Sequence, residues 1–135
     1  MLQKMVRTAF HTNNTDNCAR VCHAPTVAGL ATTLGSGAMT NTIEDITQKS
    51  DLILLVGSNP EHAHPVLGMQ IRRAVHKGTK LIVVDPRDID LAHAADVHLK
   101  LTPGTNVAFA NGMMNIILSE GLEDRKFIDE AYGEL

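Results

Sequence analysis

"DLILLVGSNPEHAHPVLGMQIRRAVHKGTKLIVVDPRD", residues 51–88, holds the pattern that decides the fold. Its two apolar runs, LILLV (52–56) and LIVV (81–84), show no alternation. Short unbroken runs of this kind are expected for strands covered on both faces, as in a parallel sheet, so both are expected to be central. Between them a helix is expected to begin near Pro65, because proline has no N–H to leave unpaired in a first helical turn. Leu67, Ile71, Ala74 and Val75 form its apolar stripe, and Lys77 and Gly78 supply a closing cation and a stop. Strand, helix and strand make a crossover that is right-handed by a strong steric rule.

Outward from this unit the pattern continues. VHLKL (97–101) alternates, which predicts a third strand with one wetter face, toward an edge. A helix is expected over 105–120, with Val107, Ala110, Met114 and Ile117 on one side, and a shorter one over 124–132. On the amino side, 2–11 reads as a helix without a cap, and TNNTDN (12–17) is rich in turn formers. A helix-like stretch over 27–34 stops at GSG (35–37), and Asn41 is placed to cap a short helix over 42–48. The class is α/β.

At 135 residues the chain has the size of one domain. With 44% hydrophobic and 20% charged residues and a net charge of −3, neither a disordered tail nor a general nucleic-acid binder is indicated. Aromatic residues amount to 3% and Trp is absent, leaving few platforms for stacked bases. The apolar runs are too short for a membrane span, and the first residues lack a signal-peptide core. Two cysteines do not make a disulfide scaffold, so a soluble protein of a reducing, cytoplasmic compartment is expected.

In open parallel sheets the ligand crevice lies beyond the carboxyl ends of the strands. GSNPEHAHP (57–65), DPRD (85–88) and TPGTN (102–106) occupy that edge. Gly57 and Gly104 allow close backbone approach, and the helix starts near Pro65 and Thr105 offer N–H groups to phosphate oxygens. Asp85 can accept from a ribose hydroxyl or a guanine edge, and Arg87 can pair with phosphate or stack on a base. The same two residues can equally pair with each other as a surface ion pair. A nucleotide is the expected ligand class, although the glycine fingerprint of nicotinamide domains is absent. His62 and His64 read as caps or turn residues rather than metal ligands. His11, His76, His93 and His98 read as surface groups, and the six methionines as core fillers.

NCARVCHAP (17–25) poses a separate question. Cys18, Cys22 and His23 are one ligand short of a zinc site and crowded besides. Three residues separate the sulfurs, so a C-x-x-C redox pair is absent, and an iron–sulfur cluster needs more thiolates. Two readings stay open: Cys22 as a soft ligand or nucleophile with His23 as base and Arg20 favouring the anion, or a buried, inert cysteine pair.

NCARVCHAPTVAGLATTLGSGAMTNTIEDI, followed by VGSNPEHAHPV, VVDPRDID and LTPGTNVAFANGM, resembles the catalytic subunit of molybdenum- or tungsten-dependent formate dehydrogenases, in the molybdopterin oxidoreductase family. The resemblance runs in collinear order over nearly the whole chain, and Cys-His-x-Pro is its most specific step. It implies a Rossmann-like three-layer α/β/α fold with a mainly parallel sheet, as a partial domain of a larger subunit. Residues 1–17 would end a preceding helix and turn, and 18–135 would form a truncated domain that binds molybdopterin guanine dinucleotide. It implies Cys22 as metal ligand, His23 as proton acceptor and Cys18 as structural or incidental. Gly57, Ser58, Asn59, Asp85, Arg87, Gly104 and Asn106 would contact the cofactor, whereas His62 and Ala63 depart from the polar residues sometimes found there.

The parent reaction would be formate to carbon dioxide, with a [4Fe-4S] cluster in a further amino-terminal domain and with electron-transfer subunits as partners. The chain alone is expected to hold no cofactor and to be inactive, and a homodimer is plausible for it. Other subunits of the family, such as formylmethanofuran dehydrogenase, remain alternatives, as does a non-catalytic nucleotide-binding module.

Overall fold

The computed structural model describes residues 1–132, and the chain forms two compact units that divide between Thr42 and Ile43. The last three residues of the expected cofactor domain, 133–135, lie outside the described residues.

The first unit holds α1 (Leu2–Ala9), the one-turn α2 (Ala19–Cys22) and α3 (Ala24–Leu34). Pro25 stands in the first turn of α3, where its missing N–H loses no hydrogen bond, so this helix starts three residues earlier than its apolar pattern predicts. It ends on Gly35, which closes the last turn by donating its N–H to the Ala31 carbonyl at 3.1 Å. None of these three helices buries a residue.

The second unit opens on a π-type turn (Asp45–Lys49) and continues through β1 (Leu52–Val56), α4 (Pro60–Ala63), α5 (Pro65–His76) and β2 (Lys80–Val84). A 3₁₀ segment (Asp90–Ala94), β3 (Val97–Leu99), α6 (Asn106–Ser119) and α7 (Arg125–Tyr132) complete it. The three strands are parallel in the order β1-β2-β3, with Ile53 level with Leu81 and Val83 level with His98. The expected crossover is present. Its stripe residues Ile71 and Ala74 pack with Ile53, Leu81 and Val83, and Leu91 and Ala92 of the 3₁₀ segment close the same cluster. Leu81, Val83 and Leu91 are 0% exposed, and burying each such side chain contributes about 1.5–3 kcal/mol.

Three expectations are corrected. Only β2 is central; β1 lies at an edge of the three-stranded sheet, and its burial alternates, with Ile53 buried and Leu52, Leu54 and Val56 exposed. An unbroken apolar run permits two covered faces; here the core cluster forms on the face beneath α5, and on the other face Val84 is buried while Leu54, Val56, Val97 and Leu99 stay exposed. In α6, Val107, Met114 and Ile117 are exposed, while Phe109 and Met113 are half-buried. The methionines are not core fillers: five are exposed and Met113 is half-buried, because branched aliphatic residues already fill the space under α5. Finally, β3 turns His98 toward the covered side, level with Val83, and leaves Val97 and Leu99 exposed. His98 is therefore no surface group. Among the described residues no helix is long and apolar enough to cross a membrane.

Candidate cofactor site

At the tip of β1, Gly57 turns the chain at φ 58°, a conformation that disfavours any side chain with a Cβ. Its N–H donates to the Val84 carbonyl at 2.8 Å, tying this tip to β2. A Cβ built on Gly57 meets nothing within 4 Å, so its backbone is open to a ligand. Ser58 and Asn59 follow, both half-buried. The Asn59 Oδ1 atom is buried and has no donor among the described residues; a buried acceptor of this kind fits an N–H on a base or pterin edge. The expected loop 57–65 is interrupted by the single turn α4, after which α5 starts without a side-chain cap, leaving its first N–H groups free to meet an anion.

At the tip of β2, Asp85 is 2% exposed and Arg87 reaches outward, its side chain 64% exposed. Asp85 Oδ1 accepts from the Arg87 backbone N–H at 2.8 Å and from Nε at 3.2 Å, and Oδ2 accepts from Nη2 at 3.3 Å. The guanidinium bonds hold the Asp85 carboxyl below its usual range, against the opposing effect of burial, and the same partnership raises Arg87. The mutual pairing is thus realised: Asp85 orients Arg87, whose side chain is largely exposed.

At the tip of β3, Gly104 adopts φ 92° and likewise has open space above it. The Thr105 hydroxyl donates to the Thr102 carbonyl at 2.7 Å, closing the turn, and so leaves the first N–H groups of α6 without a side-chain cap. Asn106 begins α6 and is exposed.

In the first unit, Cys18 and Cys22 are free and exposed, so the reading of a buried pair does not hold. They stand one turn apart, the Cys22 N–H donating to the Cys18 carbonyl at 3.0 Å. His23, also exposed, links α2 to α3. Arg20 is paired with Asp16 at 2.8 Å, which takes up the cation expected beside the thiol. Hydrogen bonds from the Asn17 backbone and from Arg20 lower Asp16. No group of three His, Cys, Asp or Glu able to hold a metal unaided occurs among the described residues.

A recess of about 640 Å³ lies at the opposite, amino ends of β1 and β2, where Asp51, Lys77 and Lys80 line it. Lys80 is tied there to Asp96 at 2.8 Å, and the recess shares no residue with the strand tips.

The strand-tip groups define the class: an open parallel α/β sheet with an anion-receptive carboxyl edge. The chain belongs to the molybdopterin oxidoreductase family, whose profile matches residues 1–128. It is 50% identical to F420-dependent formate dehydrogenase 2 subunit alpha of Methanococcus maripaludis over 99% of this chain and 20% of that protein. Formate dehydrogenase H of Escherichia coli is 43% identical over 95% of this chain and 18% of its own length. Among solved structures, acetylene hydratase from Pelobacter acetylenicus matches with a TM-score of 0.53 at 32% identity, covering 64% of this chain and 13% of that one. The chain thus spans about a fifth of the length of the curated relatives it matches.

Proposed function

We propose that this chain is a piece of the catalytic subunit of a formate dehydrogenase, and that residues 18–135 serve its pterin guanine dinucleotide. The observation that carries the reading is the 50% identity to a formate dehydrogenase alpha subunit along 99% of the chain, with the Cys22-His23-Ala24-Pro25 step inside it. The residues present suit such a group: an unpaired buried acceptor at Asn59, bare backbone at Gly57 and Gly104, and a braced, outward Arg87.

In this reading Gly57, Ser58, Asn59, Arg87, Gly104 and Asn106 hold the cofactor, and Asp85 serves by fixing Arg87. The cofactor, with molybdenum or tungsten, supplies a centre that accepts two electrons. Cys22 provides the metal's protein ligand, for which an exposed thiol is suited because the thiolate is the form that binds metal. Formate yields carbon dioxide, one proton and two electrons, and a ring nitrogen of His23 accepts the proton. In this reading the electrons leave through an iron–sulfur cluster and partner subunits. Cys22→Ser in the full-length subunit tests the assignment. Loss of metal-dependent formate oxidation with folding intact supports it, whereas unchanged turnover points to a nucleotide-binding module in which Cys22 has no chemical part.

A further inference from the structure

Strands β2 and β3 stay in register up to Val84 and Leu99, and the Asp85 N–H still reaches the Leu99 carbonyl at 3.2 Å. The ladder ends there, because among the described residues no backbone N–H donates to the Asp85 carbonyl. Asp85 is nevertheless buried, and a buried carbonyl needs a donor. The donor is a side chain: Nε2 of His98 lies 3.0 Å from the Asp85 carbonyl oxygen. A carbonyl only accepts, so Nε2 carries the hydrogen. The ring is well placed to hold that role, because its side chain is 16% exposed and its residue stands level with the fully buried Val83. Nδ1 faces the carboxylate of Asp88 at 3.9 Å, too far for a hydrogen bond, and Lys100 Nζ lies 3.7 Å from the other oxygen of Asp88.

One imidazole therefore holds the first residue of the four-residue turn that carries Arg87, while its other nitrogen faces the last without bonding it. We propose that His98 is a positioning residue for Arg87: its Nε2–H pins the Asp85 peptide, and the Asp85 carboxylate then sets the guanidinium that meets an anionic ligand. The inference rests on the proposed function only for the identity of that anion, a phosphate of the guanine dinucleotide. The linkage from His98 to Arg87 stands on the geometry of β2, β3 and the turn.

The test is nitrogen-15 NMR on the 135-residue chain, its His98→Gln variant and its His98→Leu variant. Glutamine keeps an N–H near the position of Nε2; leucine removes it and stays apolar. The wild-type ring should show the Nε2–H form. The Arg87 Nε–H should exchange slowly with water in wild type and in His98→Gln, and about tenfold faster or more in His98→Leu, the fold-change expected on freeing a charged group's hydrogen bond. An Nδ1–H ring, or equal Arg87 exchange in wild type and His98→Leu, overturns the proposal. If the β2 amides of the leucine variant lose protection as well, the glutamine variant decides. Fast Arg87 exchange there, with β2 intact, also overturns it. No cofactor is needed for these readings, so a parent protein that failed to hold a pterin dinucleotide would defeat the proposed function and leave this inference in place.

Discussion

Replacing Asp85 with Asn removes one charge and almost no volume. The native carboxylate accepts a backbone N–H at 2.8 Å and two guanidinium N–H groups at 3.2 and 3.3 Å, all from Arg87. An amide keeps one oxygen and can retain the backbone bond, but it turns an N–H toward a guanidinium that has only N–H groups to offer. A hydrogen bond to a charged partner contributes about 1.5–3 kcal/mol. Arg87 is largely in water, which screens its share, so the expected loss is at the low end, about 1–2 kcal/mol.

The pH dependence gives a second reading of the same change. The Asp85 pKa is lowered in the folded chain from the ordinary 3.8, first by the Arg87 side chain. A carboxyl so lowered contributes its stability in full above 3.8 and loses it as pH falls through its native value. Urea unfolding of wild type and Asp85→Asn, from neutral pH down to below 3.8, should therefore show a gap that is constant at first and then narrows. A variant within about 0.5 kcal/mol of wild type at neutral pH, the scatter of featureless surface changes, would refute the reasoning. So would a gap that widens in acid.

Leu81→Ala, at a position 0% exposed in the centre of the core, should lose about 2–5 kcal/mol in the same unfolding assay. In Gly68→Ala the new Cβ would come within 2.8 Å of Glu61 Cα, a backbone atom that cannot swing away. The overpacking of about 1–3 kcal/mol then outweighs a helix-propensity gain of about 1 kcal/mol, and the melting temperature should fall rather than rise. Lys80 is raised by its bond to Asp96, so the pair's contribution is present below the ordinary lysine value of 10.5 and fades as pH rises through the native one. Lys80→Met should flatten that alkaline limb of the stability profile, and an unchanged limb would count against the pairing.

The crossover was legible because an unbroken apolar run, a proline-led amphipathic stripe and a second run allow few arrangements. The strand tips followed from it, since parallel strands place all their carboxyl ends on one edge. The facing of β3 was not legible. Alternation in VHLKL separates two faces but does not say which one receives cover, and here the polar His98 faces inward, where its ring meets the Asp85 carbonyl. The Asp85–Arg87 pairing was visible as one of two options, and only geometry could choose, because two residues apart in a turn can either diverge or close on each other. Arg20 likewise stood near Cys22 in sequence, yet Asp16 lay one helical turn away and took it.

The half-open side of the sheet has a calorimetric consequence. Leu54, Val56, Val97 and Leu99 are already 38–43% exposed in the native chain, so melting wets only the remaining part of each. The heat-capacity increment of this chain should accordingly fall below the usual figure of about 12–15 cal/mol/K per residue. Its stability would then vary with temperature along a flatter dome than that of a fully enclosed domain of equal length.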